Sequence, residues 1–216
     1  MIVLDIESSG IDTGKCGIWQ IGSIDLNRPK NYFLEEARID DEDMVMQGAL
    51  EVTGKTEKEL RDPKKQSQKQ LILNYLSWRE TCEEKITMGQ NIGWDLNFIQ
   101  NRCLKYDIMD KFRKSAGQRG MDLQTIAQEK YKEVYGKYLL KENGNSDMNL
   151  SGVLNFCGIP DQRKQVDDKG NASKEGTPHT ALEDCKLEGE CYWRLEDGKN
   201  LFPEYSQYEI PEVLRK

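Results

Sequence analysis

The chain has 216 residues, of which 32% are charged and 37% hydrophobic, and carries a net charge of −7. That length favours one compact domain around one core, and the apolar content argues against a disordered chain. The acidic balance argues against sequence-independent coating of duplex DNA, a mode that needs many Lys and Arg on phosphates, but not against an enzyme gripping a few terminal nucleotides through bound cations.

The opening MIVLDIESSG holds a short apolar run ahead of Asp5, with no basic leader and no small-residue cleavage site, so the chain is expected to be intracellular with neither signal peptide nor membrane span. Strands are expected over 2–7, 17–26 and 31–36, forming an antiparallel meander whose last turn is Asn27-Arg28-Pro29-Lys30. An irregular acidic segment follows at 39–46. The stretch 63–82 carries Leu71, Leu73, Leu76 and Trp78 among polar residues and reads as an amphipathic helix, with a short strand after it at 85–89. From 94 to 106, Leu96, Ile99, Cys103 and Tyr106 recur at helical spacing, which makes them the buried stripe of a helix. Asp95, Phe98 and Arg102 then share a neighbouring face, with Asp95 in the first turn.

Asp122 suits the cap of a helix running to about 139, and Asn149 or Ser151 opens another that Gly158-Ile159-Pro160 stops. Residues 141–147 between them form a polar loop. The segment 161–178, rich in Lys, Asp, Gly and Ser, reads as a mobile loop that delivers His179 to a last helix over 180–195. This order fits an α/β fold, a mixed sheet with helices on both faces. Six cysteines are scattered without a Cys-x-x-Cys pair and read as reduced packing residues.

Three places carry chemistry. In Asp5-Ile6-Glu7, side chains two apart on a strand project to one face, so two carboxylates converge and call for a cation or a proton between them. Oxygen ligands suit Mg²⁺ or Mn²⁺. Read singly, Glu7 is also an ordinary start to the turn at Ser8-Ser9-Gly10, and Asp95 an ordinary first-turn acid stabilised by the helix dipole. His179-Thr180-Ala181-Leu182-Glu183-Asp184 places the only histidine at a loop-to-helix junction, where it suits a general base.

Taken together, Asp-x-Glu at the end of the first strand, an Asp at a mid-chain helix start and His-x(4)-Asp near the C-terminus resemble the DEDDh, or DnaQ-like, exonucleases. Ile18-Trp19-Gln20-Ile21-Gly22, Val52-Thr53-Gly54, Met121-Asp122-Leu123 and Asn149-Leu150-Ser151 resemble further parts of that pattern, over residues 1–196. The resemblance implies a ribonuclease-H-like mixed sheet, three antiparallel N-terminal strands plus parallel ones. It implies that Asp5, Glu7, Asp95 and Asp184 hold two divalent ions, Mg²⁺ or Mn²⁺, with Asp5 bridging and His179 deprotonating the attacking water. The implied activity is 3′→5′ removal of nucleotides from single-stranded DNA or RNA ends, DNA favoured, with an RNA-trimming enzyme or a catalytically silent binding module as alternatives. A polymerase or another nucleic-acid-processing protein is the implied class of partner.

Expected substrate contacts are Ser8, Ser9 and Gly10 at the last sugar, and Thr53, Gly54 and Asn91 by the same resemblance. Phe98 is the first candidate to stack on the terminal base and Trp94 the second, each with core packing as its plain alternative. Lys105, Lys111, Arg113, Lys114 and Arg119 are candidates for a path along the upstream strand. Lys55 departs from the family, which commonly has an apolar residue after Thr-Gly, and the tail 197–216 is expected to pack on the domain.

Overall fold

In the computed structural model, which describes residues 1–116, 119–165, 172–173 and 175–216, β1 (Ile2–Ser8) lies at the centre of a five-stranded sheet. β2 (Ile18–Asp25) pairs antiparallel with β1, and β3 (Tyr32–Glu36) antiparallel with β2. On the other side β4 (Thr87–Gly89) runs parallel to β1, and β5 (Gly120–Asp122) parallel to β4, giving the order β3-β2-β1-β4-β5. The sequence reading took Asp122 as a helix cap, which it is for α6, and expected no strand at 120–122. Three residues are too few to show a strand period, and Gly120 earns its place only by packing: a Cβ there would stand 2.7 Å from Ile92.

The described helices are α1 (Gln47–Thr53), α2 (Glu57–Leu60), α3 (Gln68–Thr81), α4 (Ile92–Lys105), α5 (Met109–Ser115), α6 (Leu123–Tyr135), α7 (Leu150–Phe156) and α8 (Ala181–Asp197). They cover both faces of the sheet, because β1 is apolar on both. Val3 points into a core shared with α6, α7 and α8, and Leu4 and Ile6 point into one shared with α3, α4 and α5. The six cysteines are free and buried, and among the described residues no helix is long and apolar enough to cross a membrane.

Local signals explain most helix ends. Ser67 caps α3 by accepting the Gln70 N–H, and Asn149, not Ser151, caps α7 by accepting the Gly152 N–H. α6 stops at Tyr135, short of 139, because Gly136 takes a left-handed conformation (φ 72°) and ends the helix. α1 and α5 were not expected: each is a seven-residue helix without a side-chain cap, too short to show a period. α4 is buried on two faces, not one. Phe98 is fully enclosed, and Arg102 donates to Asp43 across an interior 2.8 Å ion pair that fastens the acidic segment to the helix.

The residues after α8 fold back on it. Phe202, Tyr205 and Leu214 join its apolar cluster, and Arg194 donates to the carbonyls of Cys157, Tyr205 and Tyr208. Arg194 also pairs with Glu190 at 2.9 Å, both side chains fully buried, and Glu190 accepts the Leu201 and Phe202 amides. Arg194→Met should therefore leave a buried carboxylate without its cation, at about 3–5 kcal/mol of stability. Urea unfolding reads this directly, and a loss below about 1 kcal/mol would mean that the pair is incidental.

Candidate metal centre

Asp5 and Glu7 share the face of β1 that carries Val3, turned toward α8. Two residues of β2 bring α8 down onto that face. At Gly22 a Cβ would stand 2.4 Å from the Ala181 backbone and 2.5 Å from that of Leu182, so only glycine admits the helix. Gln20 Oε1 accepts the Ala181 N–H at 2.9 Å and anchors the start of α8. Asp184, in the first turn of α8, then lies over β1, and ligand oxygens of Asp5, Glu7 and Asp184 fall within 4.8 Å of one another. Asp95 arrives from the opposite layer, in the first turn of α4, where its Oδ1 accepts the Ile6 N–H at 3.2 Å.

Glu7, Asp95 and Asp184 are all buried, and among the described residues Asp184 Oδ1 has no hydrogen-bond partner. An all-carboxylate donor set with an orphaned oxygen fits a hard divalent cation such as Mg²⁺ or Mn²⁺. Burial first, and then Asp184 beside them, pushes the carboxyls of Asp5 and Glu7 well above the usual carboxylate range. Burial does the same to Asp95, and to Glu188, a carboxylate one turn further along α8.

These raised values have a consequence for stability. A group whose folded-state value exceeds its unfolded one holds extra protons in the folded chain, so stability is full below the unfolded value and falls as pH rises through the folded one. The slope is about 1.4 kcal/mol per pH unit for each such group. The metal-free chain should accordingly melt at lower temperature at pH 8 than at pH 6, and excess Mg²⁺, taking the place of the protons, should close the gap. Melting curves in chelator that rise from pH 6 to pH 8 would contradict this.

His179 enters through a braced loop. Lys164 N–H donates to Thr177, Thr177 N–H donates to Gln162, and His179 N–H donates to Val52 at the end of α1. His179 Nε2 donates to the Lys164 carbonyl at 2.8 Å, and Nδ1 stands 3.4 Å from Asp184 Oδ2. Arg163, in the same loop, grips Asp161 through Nε and Nη2 and donates Nη1 to Asp184 Oδ2 at 3.1 Å. No motif announced Arg163. Of the segment 161–178 read as mobile, residues 166–171 and 174 lie outside the described residues.

These groups open on a cavity of about 660 Å³ whose walls include Asp5, Glu7, Ser8, Gly10, Thr53, Trp94, His179 and Asp184. Its far wall is α1 with Met46 and Ile11, of which the sequence had singled out only Val52 and Thr53. The other expected contacts lie elsewhere. Ser9 is buried, donating to the Met44 carbonyl and accepting the Gly17 N–H. Gly54 is the left-handed cap of α1 (φ 67°) and borders a neighbouring depression with Lys164. Asn91 is exposed with a left-handed backbone, its N–H held by Asp122. Phe98, at 0% exposure, cannot meet a base; its ring packs edge-on at 5.2 Å beneath Trp94, whose indole N–H donates to Ile11. Lys105 is tied to Asp40, Glu42 and Asp43, and Lys55 pairs with Glu36 over the Trp19 ring, so both are engaged within the fold.

No protein-family model matches the chain, and no curated protein matches it. Solved structures do. E. coli exonuclease I in complex with a dT13 oligonucleotide superposes with a TM-score of 0.60 at 16% identity, over 87% of this chain and 39% of that one. Cell-death related nuclease 4 (CRN-4) gives a TM-score of 0.62 at 14% identity, over 90% of this chain and 62% of that one. The zinc-bound E. coli exonuclease I–ssDNA complex gives 0.57 at 17% identity, over 87% and 38%. The chain thus spans less than two thirds of the length of these neighbours. Identities this low speak to the fold alone, which is the ribonuclease-H-like mixed sheet flanked by helices.

Proposed function

We propose that the chain is a metal-dependent 3′→5′ exonuclease that hydrolyses terminal phosphodiesters of single-stranded or frayed nucleic acid, DNA in preference to RNA, releasing nucleoside 5′-monophosphates. The observation that carries this reading is the meeting of three carboxylates within 4.8 Å on the wall of a cavity that also holds His179 and Trp94. The fold neighbours agree with it: they are nucleases, one in complex with a dT13 oligonucleotide and another with ssDNA.

In this reading Asp5, Glu7, Asp95 and Asp184 hold two divalent ions, Mg²⁺ or Mn²⁺. Bound there, the ions supply positive charge opposite the attacking and leaving oxygens of the phosphodiester. His179 takes the proton of the attacking water. The Lys164 carbonyl fixes the imidazole as the Nε2–H tautomer, which leaves the Nδ1 lone pair turned toward the carboxylates. Trp94, half-buried and braced by Phe98, presents a rigid aromatic wall on which an unpaired terminal base can stack. Ser8, Gly10 and Thr53 line the space for the last sugar.

The test is incubation of 5′-labelled DNA and RNA oligomers of one sequence with Mg²⁺, Mn²⁺ or chelator. A metal-dependent ladder of shortened labelled products supports the reading, and the faster oligomer decides the sugar. Intact oligomers under every condition, with binding retained, would instead mean a silent binding module.

A further inference from the structure

Two buried glutamates of α8 are treated differently by the fold. Glu190 is neutralised internally by Arg194 and accepts two backbone amides. Glu188, at 1% exposure, has no cation hydrogen-bonded to it among the described residues: the Gln90 backbone N–H donates to its carboxylate, and Oε2 has no partner among them. The guanidinium among its electrostatic neighbours, that of Arg163, spends its hydrogen bonds on Asp161 and Asp184. A buried carboxylate left this way is costly unless a proton or a cation neutralises it.

The position indicates what that is. Glu188 lies one helical turn beyond Asp184 on the same face of α8, and its electrostatic neighbours are Asp95, Asp184 and Asp5. It faces the end of β4, where Gly89 leaves the floor of the site open. A Cβ at Gly89 would stand 3.4 Å from Glu188 Oε2 and 2.7 Å from the Leu4 carbonyl oxygen. Glu188 thus sits at the β4 end of the site, with Asp95 and Asp184 as neighbours, outside the group of Asp5, Glu7 and Asp184 whose oxygens fall within 4.8 Å of one another.

We propose that Glu188 is a fifth carboxylate of the metal centre and that, with Asp5 and Asp95, it holds the second divalent ion, leaving the first to Asp5, Glu7 and Asp184. This rests on the two-ion reading of the same site. A third carboxylate gives the second ion a ligand set equal in charge to the first, so both ions are bound before any nucleic acid arrives.

Mn²⁺ binding to the full chain, freed of metal by chelator and without nucleic acid, tests this by calorimetry and by the electron paramagnetic resonance of unbound Mn²⁺. Two ions are expected for the wild type. Glu188→Gln, nearly isosteric, should weaken the second by roughly tenfold or more and leave the first; Glu7→Gln should do the reverse. Glu188→Asp, which keeps the charge but shortens the arm, should fall between wild type and Gln and decides the matter if the Gln variant does not fold. One ion in the wild type, or two ions bound by Glu188→Gln with wild-type affinity, would overturn the proposal. Oligomer degradation is scored separately: a Glu188 effect on Mn²⁺ without any product would leave the fifth ligand standing and remove the nuclease reading, and product formation with unchanged Mn²⁺ binding would do the opposite.

Discussion

Asp5→Asn should abolish metal-dependent degradation, by at least about 10³-fold or roughly 4 kcal/mol of barrier, while making the metal-free chain more stable. Both halves come from one position. Asp5 has Asp184, Asp95, Glu188 and Glu7 all as electrostatic neighbours, and in the proposed reading it is the ligand both ions would share. The substitution keeps the shape and removes a charge that would help to hold both ions. In the absence of metal the same charge is a burden, since burial and the neighbouring Asp184 already push the Asp5 carboxyl upward. Removing it relieves repulsion among buried acids, so the melting temperature in chelator should rise while activity vanishes. A misfolded variant would lose both, which is why thermal melting and oligomer degradation are to be read on one preparation. Retained degradation in Asp5→Asn would remove the carboxylate centre from the chemistry.

His179→Ala should cost about 10²–10⁴-fold in rate with Mn²⁺ binding unchanged. The ring lies beside Asp184 but its Nε2 is committed to a backbone carbonyl, so in the proposed reaction its part is to accept a proton at Nδ1, not to complete the ligand set. Added imidazole should restore part of the lost rate by entering the vacated wall of the cavity. Loss of Mn²⁺ affinity in the variant would reassign His179 as a metal ligand. A rate within about threefold of wild type would remove it from the reaction, since a general base contributes more than that.

The legible parts of the centre are those set by short-range periods. Asp5 and Glu7 could be put on one face because side chains alternate along a strand, Asp95 in a first turn because the apolar stripe of α4 sets the helix phase, and Asp184 because the polar loop 161–178 ends at the start of the last helix. Glu188 was legible in the same way, four residues past Asp184, but nothing local distinguishes an acid turned to the site from one turned to water. The aromatic pair shows the limit of spacing arguments. Phe98 and Trp94 are one turn apart on α4, and only the loop carrying Ile11 makes Trp94 the wall and Phe98 its support.

By itself the sequence determined the meander, the order of strands and helices that makes the sheet mixed, and the face on which the first two acids meet, since each depends on neighbours within a few residues. Tertiary structure alone decided that a three-residue strand completes the sheet, that α1 walls the cavity, that Arg163 reaches Asp184, and that Glu188 is buried without a cation. Those features depend on contacts between segments tens of residues apart, whose free energies come from burial and charge in the assembled fold and leave no period in the chain.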